Sequence, residues 1–174
     1  MEFTEVRNVI VEQLEQHLGC PVIASESLNQ KEYPCCYYSV ITPRASTHSF
    51  GLNEVQKQGD EFTVSRSERV AATLSFTLCS QDRDTKDGFV FGEDEALSLA
   101  EKAHGFFLLD AHNISTEHGD IVMNNVGPVA KRTSFVTDDY VRRYGFDVKL
   151  YYIRTDTAPT TVIGKVKPTW LKNL

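Results

Sequence analysis

The chain has 174 residues, of which 41% are hydrophobic and 24% charged, and its formal net charge is −6. This composition is typical of one globular domain with a sizeable core, and it excludes an intrinsically disordered chain. The 24 acidic residues outnumber the 18 lysines and arginines, which argues against a protein that grips nucleic acid through a basic face. The balance is compatible with a protein that encloses DNA without gripping it.

The four cysteines are spaced neither like a zinc site nor like a redox C-x-x-C motif; they are Cys20, Cys35, Cys36 and Cys79. We expect buried free thiols in a protein folded in a reducing cytoplasm, and neither a metal nor a cofactor. The opening residues, MEFTEVRNVI, lack the basic and apolar regions of a signal peptide, and no apolar run reaches membrane-spanning length. We therefore expect no membrane partner.

The first predicted element is an amphipathic helix whose apolar residues recur at helical spacing from Phe3 to Leu18. Gly19 and Pro21 mark its end. A helix with such a face can lie on a membrane surface, but the polar face here is acidic, which disfavours contact with lipid headgroups. Packing against a sheet is the better interpretation.

Strand patterns follow at residues 36–42, 61–67 and 70–80, the last alternating between apolar and small polar residues. Between the first two, residues 43–60 show little periodicity and contain two glycines. Long irregular segments inside a compact domain are usually functional or mobile. Because strand patterns flank this one, we interpret it as the extended tip of a long β-hairpin, with a disordered loop as the alternative.

A second helix is predicted to begin at Glu93 and to end at Asn113, after a polar loop interrupted by Phe89, Val90 and Phe91. Its predicted apolar face contains Ala96, Leu99, Ala100, Ala103, Phe106, Phe107 and Leu109. Another strand is predicted at residues 120–129.

The final predicted strand spans residues 140–153, with Tyr144, Phe146, Val148, Leu150 and Tyr152 on one face. Residues 155–174 read as a tail, but Trp170 and Leu171 favour a tail that docks on a partner, with packing against its own domain as the alternative. The order of elements predicts an α+β fold: a mostly antiparallel sheet with a long β-hairpin, two main helices packed on one face and an extended C-terminal arm. We divide the chain into a single domain, 1–154, and an arm or tail, 155–174.

No arrangement of residues meets the requirements of a catalytic site. The five histidines form no H-E-x-x-H motif, and the chain contains neither G-x-S-x-G nor a phosphate-binding loop. Asp82, Asp84 and Asp87 have neither the spacing nor the closing glutamate of a calcium loop. We therefore expect no enzyme, no catalytic residue and no metal ligand.

Several segments of the chain, taken in order, carry a family resemblance: EVRNVIVEQLEQHLGCPVI, YPCCYYSVITP, RVAATLSFTLCSQD, ALSLAEKAHGFF and VGPVAKRT with DDYVRRYGFDVKL. In the last and most specific of them, an acidic residue, an aromatic residue and a basic pair precede an aromatic-Gly-Phe-Asp-Val strand, here Asp139 to Val148. Together these segments resemble the phage neck terminator family, the tail terminator or tail-completion proteins of tailed bacteriophages.

The resemblance implies a non-enzymatic virion protein of the phage neck, made in the host bacterial cytoplasm. It implies α+β subunits that form a homohexameric ring on the tail tube, end tube growth and join the tail to the head-completion or connector proteins. The implied partners are the chain itself, the tail tube protein, with the sheath as a further candidate, and the head-completion proteins. Genomic DNA would pass through the ring without specific binding.

Interface candidates come from the predicted hairpin, the basic pair and the arm: Arg44, His48, Phe50, Leu52, Val55, Lys57, Arg142, Arg143, Trp170 and Leu171. Arg142 and Arg143 would point to opposite faces of a strand, and Gly145 would allow a β-bulge or the close approach of a helix. Two other functions remain open from the residues alone. One is a peptide- or ligand-binding module that uses the sheet edge and the long hairpin, and the other is a cysteine hydrolase.

Overall fold

The computed structural model describes residues 1–27, 32–47, 51–58, 61–86, 88–133 and 140–160, and these form two helices and ten strands. The helices are α1 (Phe3–Leu18) and α2 (Gly92–Leu108). The strands are β1 (Val22–Ala24), β2 (Cys35–Ser46), β3 (Leu52–Gln58), β4 (Glu61–Gln81), β5 (Arg83–Thr85), β6 (Gly88–Val90), β7 (Asn113–Thr116), β8 (Gly119–Val126), β9 (Ala130–Lys131) and β10 (Val141–Thr160). The fold is therefore mixed α/β and mostly strand.

One curled sheet organises the chain, in the order β1-β2-β4-β10-β8-β7, with β3 added to β4 and β9 added to β10. β1 pairs with β2 in parallel, and the other pairs of described strands are antiparallel. β4 and β10 form the longest pair, with an unbroken register from Val141 opposite Gln81 to Thr160 opposite Phe62. β5 and β6 form a separate two-stranded hairpin.

The hydrophobic core joins both helices to the sheet. α1 buries Val6, Ile10, Leu14 and Leu18, and Gly19 ends it in the left-handed conformation with φ of 74°. In the middle of the core, Phe76 of β4 lies 5.0 Å from the Phe107 ring and 6.1 Å from the Phe146 ring. Because burial of one large apolar side chain contributes about 1.5–3 kcal/mol, this shared cluster ties the elements together.

The predicted positions of α1, of the apolar face of β10 and of the buried free thiols are confirmed. The apolar face of α2 is confirmed except at Leu109, which follows the end of the helix and is 76% exposed. The predicted helix end near Asn113 is late, because Asn113 already begins β7. The long hairpin and the placement of both helices on one face stay predictions. So does the division at residue 154, although β10 runs across it to Thr160.

Candidate assembly surfaces

β3, β4 and β10 continue past the core as a three-stranded extension, which we call the ribbon (residues 52–58, 61–68 and 153–160). The buried residues of β4 and β10 end at Glu68 and Tyr152. Beyond them, every described side chain of these two strands is half-buried or exposed. The ribbon therefore offers surface that the subunit itself does not cover.

A network of arginines and carboxylates lies where the ribbon leaves the core. Glu68 is 5% exposed and accepts hydrogen bonds from Arg44 and, at 2.7 Å, from Arg66. Arg154 donates to Asp156 at 2.8 Å, and this bond holds the pKa of Asp156 below its ordinary range. A buried carboxylate between two guanidinium groups satisfies the requirement that buried charge be paired.

The far part of the ribbon carries an apolar row. Val55, Val64 and Ala158 lie opposite one another on the three strands, so their side chains share a face. Lys57 lies on the same face, with its ammonium group 5.5 Å from the centre of the Phe62 ring. We call these five residues the ribbon patch.

The opposite face of the ribbon is mainly polar. Leu52 lies on it, opposite Ser67, although it was grouped with Val55 in the sequence prediction. Both leucine and valine are well exposed, at 63% and 64%. Side chains alternate between the two faces of a strand, and Leu52 and Val55 are three positions apart. They therefore point to opposite faces and cannot contact the same flat partner surface.

A second exposed apolar surface lies at the other end of the sheet. Phe89 on β6 is 53% exposed, and Phe91, which precedes α2, is 62% exposed. Their ring centres lie 4.9 Å apart in an edge-to-face arrangement. We call them the aromatic pair. The sequence analysis did not select this pair as a site, although three apolar residues inside a polar loop indicated an unusual surface.

Two segments that carried the family resemblance meet on the face of the sheet opposite the core. Arg132 donates hydrogen bonds to Ser75 at 2.6 Å, to Thr77 at 3.0 Å and to Asp147 at 2.8 Å. A Cβ at Gly145 would lie 2.9 Å from the Arg132 side chain and 2.4 Å from the Phe76 carbonyl oxygen. The predicted bulge or helix approach at Gly145 is wrong: the register is continuous there, and an arginine side chain crosses it.

The same segments converge on Glu93 at the start of α2. Lys131 donates to this carboxylate at 2.6 Å, Tyr144 donates through its hydroxyl, and Arg142 lies 3.9 Å away. Hydrogen bonds from Lys131 and Tyr144 hold the pKa of Glu93 below its ordinary range. Negative charge also suits a helix N-terminus. The two closing segments therefore fasten β10 to α2.

The basic pair is already engaged within the subunit. Arg142 faces Glu93, while the backbone of Arg143 donates to Thr133 at 2.9 Å and its guanidinium hydrogen-bonds Cys79. An interface role for either arginine stays a prediction, as it does for Arg44, Leu52, Val55 and Lys57. His48, Phe50, Trp170 and Leu171 lie outside the described residues.

A comparison with protein families identifies the family of this chain. The family model described as phage neck terminator protein matches residues 8–170. The chain belongs to the phage neck terminator family. This family is one of structural tail proteins rather than catalysts, so the chain is a phage neck protein and its location is the virion. A search of the curated proteins finds no match.

Burial disfavours ionisation of three of the thiols at neutral pH. It raises the pKa of Cys36 well above its ordinary value, that of Cys20 to about 11 and that of Cys79 to about 12, the last despite the opposing hydrogen bond from Arg143. These thiols are therefore protonated near neutral pH, and the thiolate is the form that attacks a substrate. This observation disfavours a cysteine hydrolase that uses Cys79 as its nucleophile.

One groove among the described residues is small for a ligand-binding pocket. A groove between the end of α2 and β8 has a volume of about 260 Å³, below the roughly 300–1,000 Å³ of typical ligand pockets. Among the described residues, no cluster of three or more His, Cys, Asp or Glu is placed to hold a metal ion. Neither of the two described helices is both long and apolar enough to cross a membrane.

Proposed function

We propose that this terminator forms a closed ring, with a hexamer as the copy number implied by the family resemblance, on the last ring of the tail tube. The ring ends tube growth and presents a surface to the head-completion proteins. The match to the neck terminator family over residues 8–170 is the observation that carries the proposal. The tail tube protein and the head-completion proteins are the expected partners, and the sheath is a further candidate.

Two distinct exposed surfaces support ring closure. A cyclic ring of more than two copies uses head-to-tail interfaces, in which two different patches of each subunit meet. The ribbon patch and the aromatic pair lie at opposite ends of β4, which corresponds to about 60 Å along the strand at about 3.3 Å per residue. Because the two patches are far apart on each subunit, one patch can contact the other patch of the next subunit. The same contact can then repeat around a ring.

The charge of the chain supports passage of DNA without specific binding. The net charge is −6, so six copies contribute a strongly negative total that disfavours phosphate contacts. Arginines that carry positive charge near the ribbon are paired with carboxylates, as Arg44 and Arg154 show. The proposed ring therefore allows DNA to slide rather than holding it.

Joining of separated heads and tails tests the proposal. Heads and tails are prepared from an infection that lacks this protein, and purified protein is then added to the mixture. We expect joined, infectious particles only after the addition. Joining at the same frequency without the protein would overturn the proposed role in the neck.

A further inference from the structure

The aromatic pair is an exposed apolar surface of the described residues. Two phenylalanine rings that are more than half exposed and in mutual contact stand on a short hairpin and at the start of a helix. Aromatic side chains dominate the energetics of interfaces because they bury large areas at low entropic cost. The charges around the pair indicate which kind of occupant fits.

Negative charge surrounds the aromatic pair. Asp84 lies directly opposite Phe89 in the hairpin, and Asp82 and Asp94 are also exposed. Two nearby cations are already paired with carboxylates, since Arg83 pairs with Glu95 at 2.7 Å and Lys131 pairs with Glu93 at 2.6 Å. Lys86 at the hairpin turn offsets part of this charge. An occupant that is both apolar and basic is therefore favoured.

The C-terminal segment of this chain, residues 161–174, has that chemistry. It contains three lysines and neither aspartate nor glutamate. Its apolar residues include Trp170, the single tryptophan of the chain, followed by Leu171. The family model extends as far as residue 170, so most of this segment belongs to the family's matched region.

Reach disfavours docking of this segment on the aromatic pair of its own subunit. Thr160 is paired with Phe62, whereas the aromatic pair adjoins the other end of β4 near Gln81, where a Cβ on Gly92 would lie 2.5 Å from the backbone. Nineteen residues of strand at about 3.3 Å each give a path of roughly 60 Å along β4 between these ends. Ten residues from Thr160 to Trp170 span at most about 36 Å when fully extended.

We propose that residues 161–174 of one copy dock on the aromatic pair of a neighbouring copy, with Trp170 against Phe89 and Phe91 and the lysines facing Asp84 and Asp94. Repeated from copy to copy, this contact joins the arm of each subunit to the hairpin of the next. The inference rests on the proposed function, because it requires several copies held side by side on a tail.

Disulfide trapping tests the contact while leaving the aromatic residues intact. Lys86→Cys and Thr169→Cys are introduced into one full-length chain, and tails assembled with it are oxidised and separated without reductant. We expect a ladder of covalent oligomers, since each new thiol meets its partner on another copy. The native thiols are all buried and do not compete.

Val122→Cys with Thr169→Cys is the matched control, because Val122 is 43% exposed and lies on β8 of the main sheet rather than on the β5–β6 hairpin. A ladder from both pairs would show unspecific collision and overturn the docking, as would a ladder from neither. Wild-type protein that is present on tails while the test pair stays unlinked would overturn the docking alone. Wild-type protein that is absent from tails would overturn the proposed function and the docking with it.

Charge reversal provides the second test. Asp84→Lys with Asp94→Lys should lower the amount of protein on tails about tenfold, whereas Glu101→Lys with Asp120→Lys changes the net charge equally at exposed positions elsewhere and should not. Adding Lys165→Glu and Lys167→Glu to the first variant should restore binding. Failure of this rescue, with the folded state intact by circular dichroism, would contradict the contact.

Discussion

Gly145 explains why an aromatic-Gly-Phe-Asp-Val pattern stands next to a basic segment in this chain. Without a side chain at this position, Arg132 lies across the strand and reaches Ser75, Thr77 and Asp147. Burial alone would raise the pKa of Asp147, but hydrogen bonds from Ser75 and Arg132 outweigh it and hold that pKa below its ordinary range. The charged pair and the glycine therefore act as one unit that fixes residues 130–133 on β10.

Substitution of this glycine tests the unit directly. In Gly145→Ala, the new Cβ would lie 2.4 Å from the Phe76 carbonyl oxygen, so we expect a loss of about 1–3 kcal/mol in the free energy of unfolding. Gly105→Ala is the control, because its Cβ meets nothing within 4 Å inside α2, and a gain of about 0.5–1 kcal/mol is expected. Urea denaturation measures both. Equal stabilities of the two variants would contradict the account.

The buried thiols predict how stability depends on pH. Unfolded cysteine ionises near 9.0, whereas the pKa is about 11 for Cys20 and about 12 for Cys79 in the folded chain. Above about pH 9 the unfolded chain releases protons that the folded chain retains, so the free energy of unfolding falls as pH rises, by up to about 1.4 kcal/mol per pH unit for each thiol. Cys79→Ala should flatten this slope.

Denaturant titrations between about pH 8 and about pH 10 measure the effect. Tyr37, whose pKa burial raises to about 12, adds to the slope in the same direction once unfolded tyrosine begins to ionise, so the lower part of the range reports the thiols most directly. A free energy of unfolding that stays flat or increases over this range would show that the thiols ionise freely in the folded protein.

At the scale of elements, the ribbon depends on one buried carboxylate. Glu68 is held by Arg44 and Arg66, so Glu68→Gln removes the charge that both guanidinium groups share. We expect a loss of about 1–3 kcal/mol and faster hydrogen exchange of the amides of residues 153–160. Glu54→Gln, an exposed change on β3, should stay within about 0.5 kcal/mol. Unchanged exchange in the first variant would contradict the role of the network.

Elements with one buried face could be predicted from the sequence, and elements exposed on both faces could not. The periodicity of α1 and the alternation of β10 up to Tyr152 reflect burial against the core, which the pattern of apolar residues records. Beyond Tyr152, β10 continues for eight residues that are paired with β4 but lack a buried face, so the sequence suggested a tail. The β5–β6 hairpin could not be predicted from the sequence for the same reason.

The candidate site could likewise be predicted only in part at the level of single residues. The exposure of Leu52 and Val55 agrees with their selection, but their placement on opposite faces depends on the β3–β4 register, which the sequence alone does not fix. Arg44 was selected as part of the predicted hairpin, and its hydrogen bond to Glu68 depends on a residue 24 positions away. Contacts of this range require the tertiary structure.

At the scale of the whole molecule, we expect the ribbon patch to contribute to assembly rather than to folding. Val55→Asp places a charge on a side chain that is 64% exposed, so the free energy of unfolding should change by no more than about 0.5 kcal/mol. Incorporation into tails should fall at least tenfold. Gln56→Asp is the neighbouring control on the opposite face of β3, and equal incorporation of the two variants would exclude the patch.

The central claim is that this protein caps the tail tube in the phage neck, and electron imaging of tails tests it most directly. Tails assembled with and without the protein are compared for tube length and for attachment to heads. We predict that tails made without it either have uncontrolled length or have normal length and fail to join heads. Tails of normal length that join heads in its absence would contradict the claim.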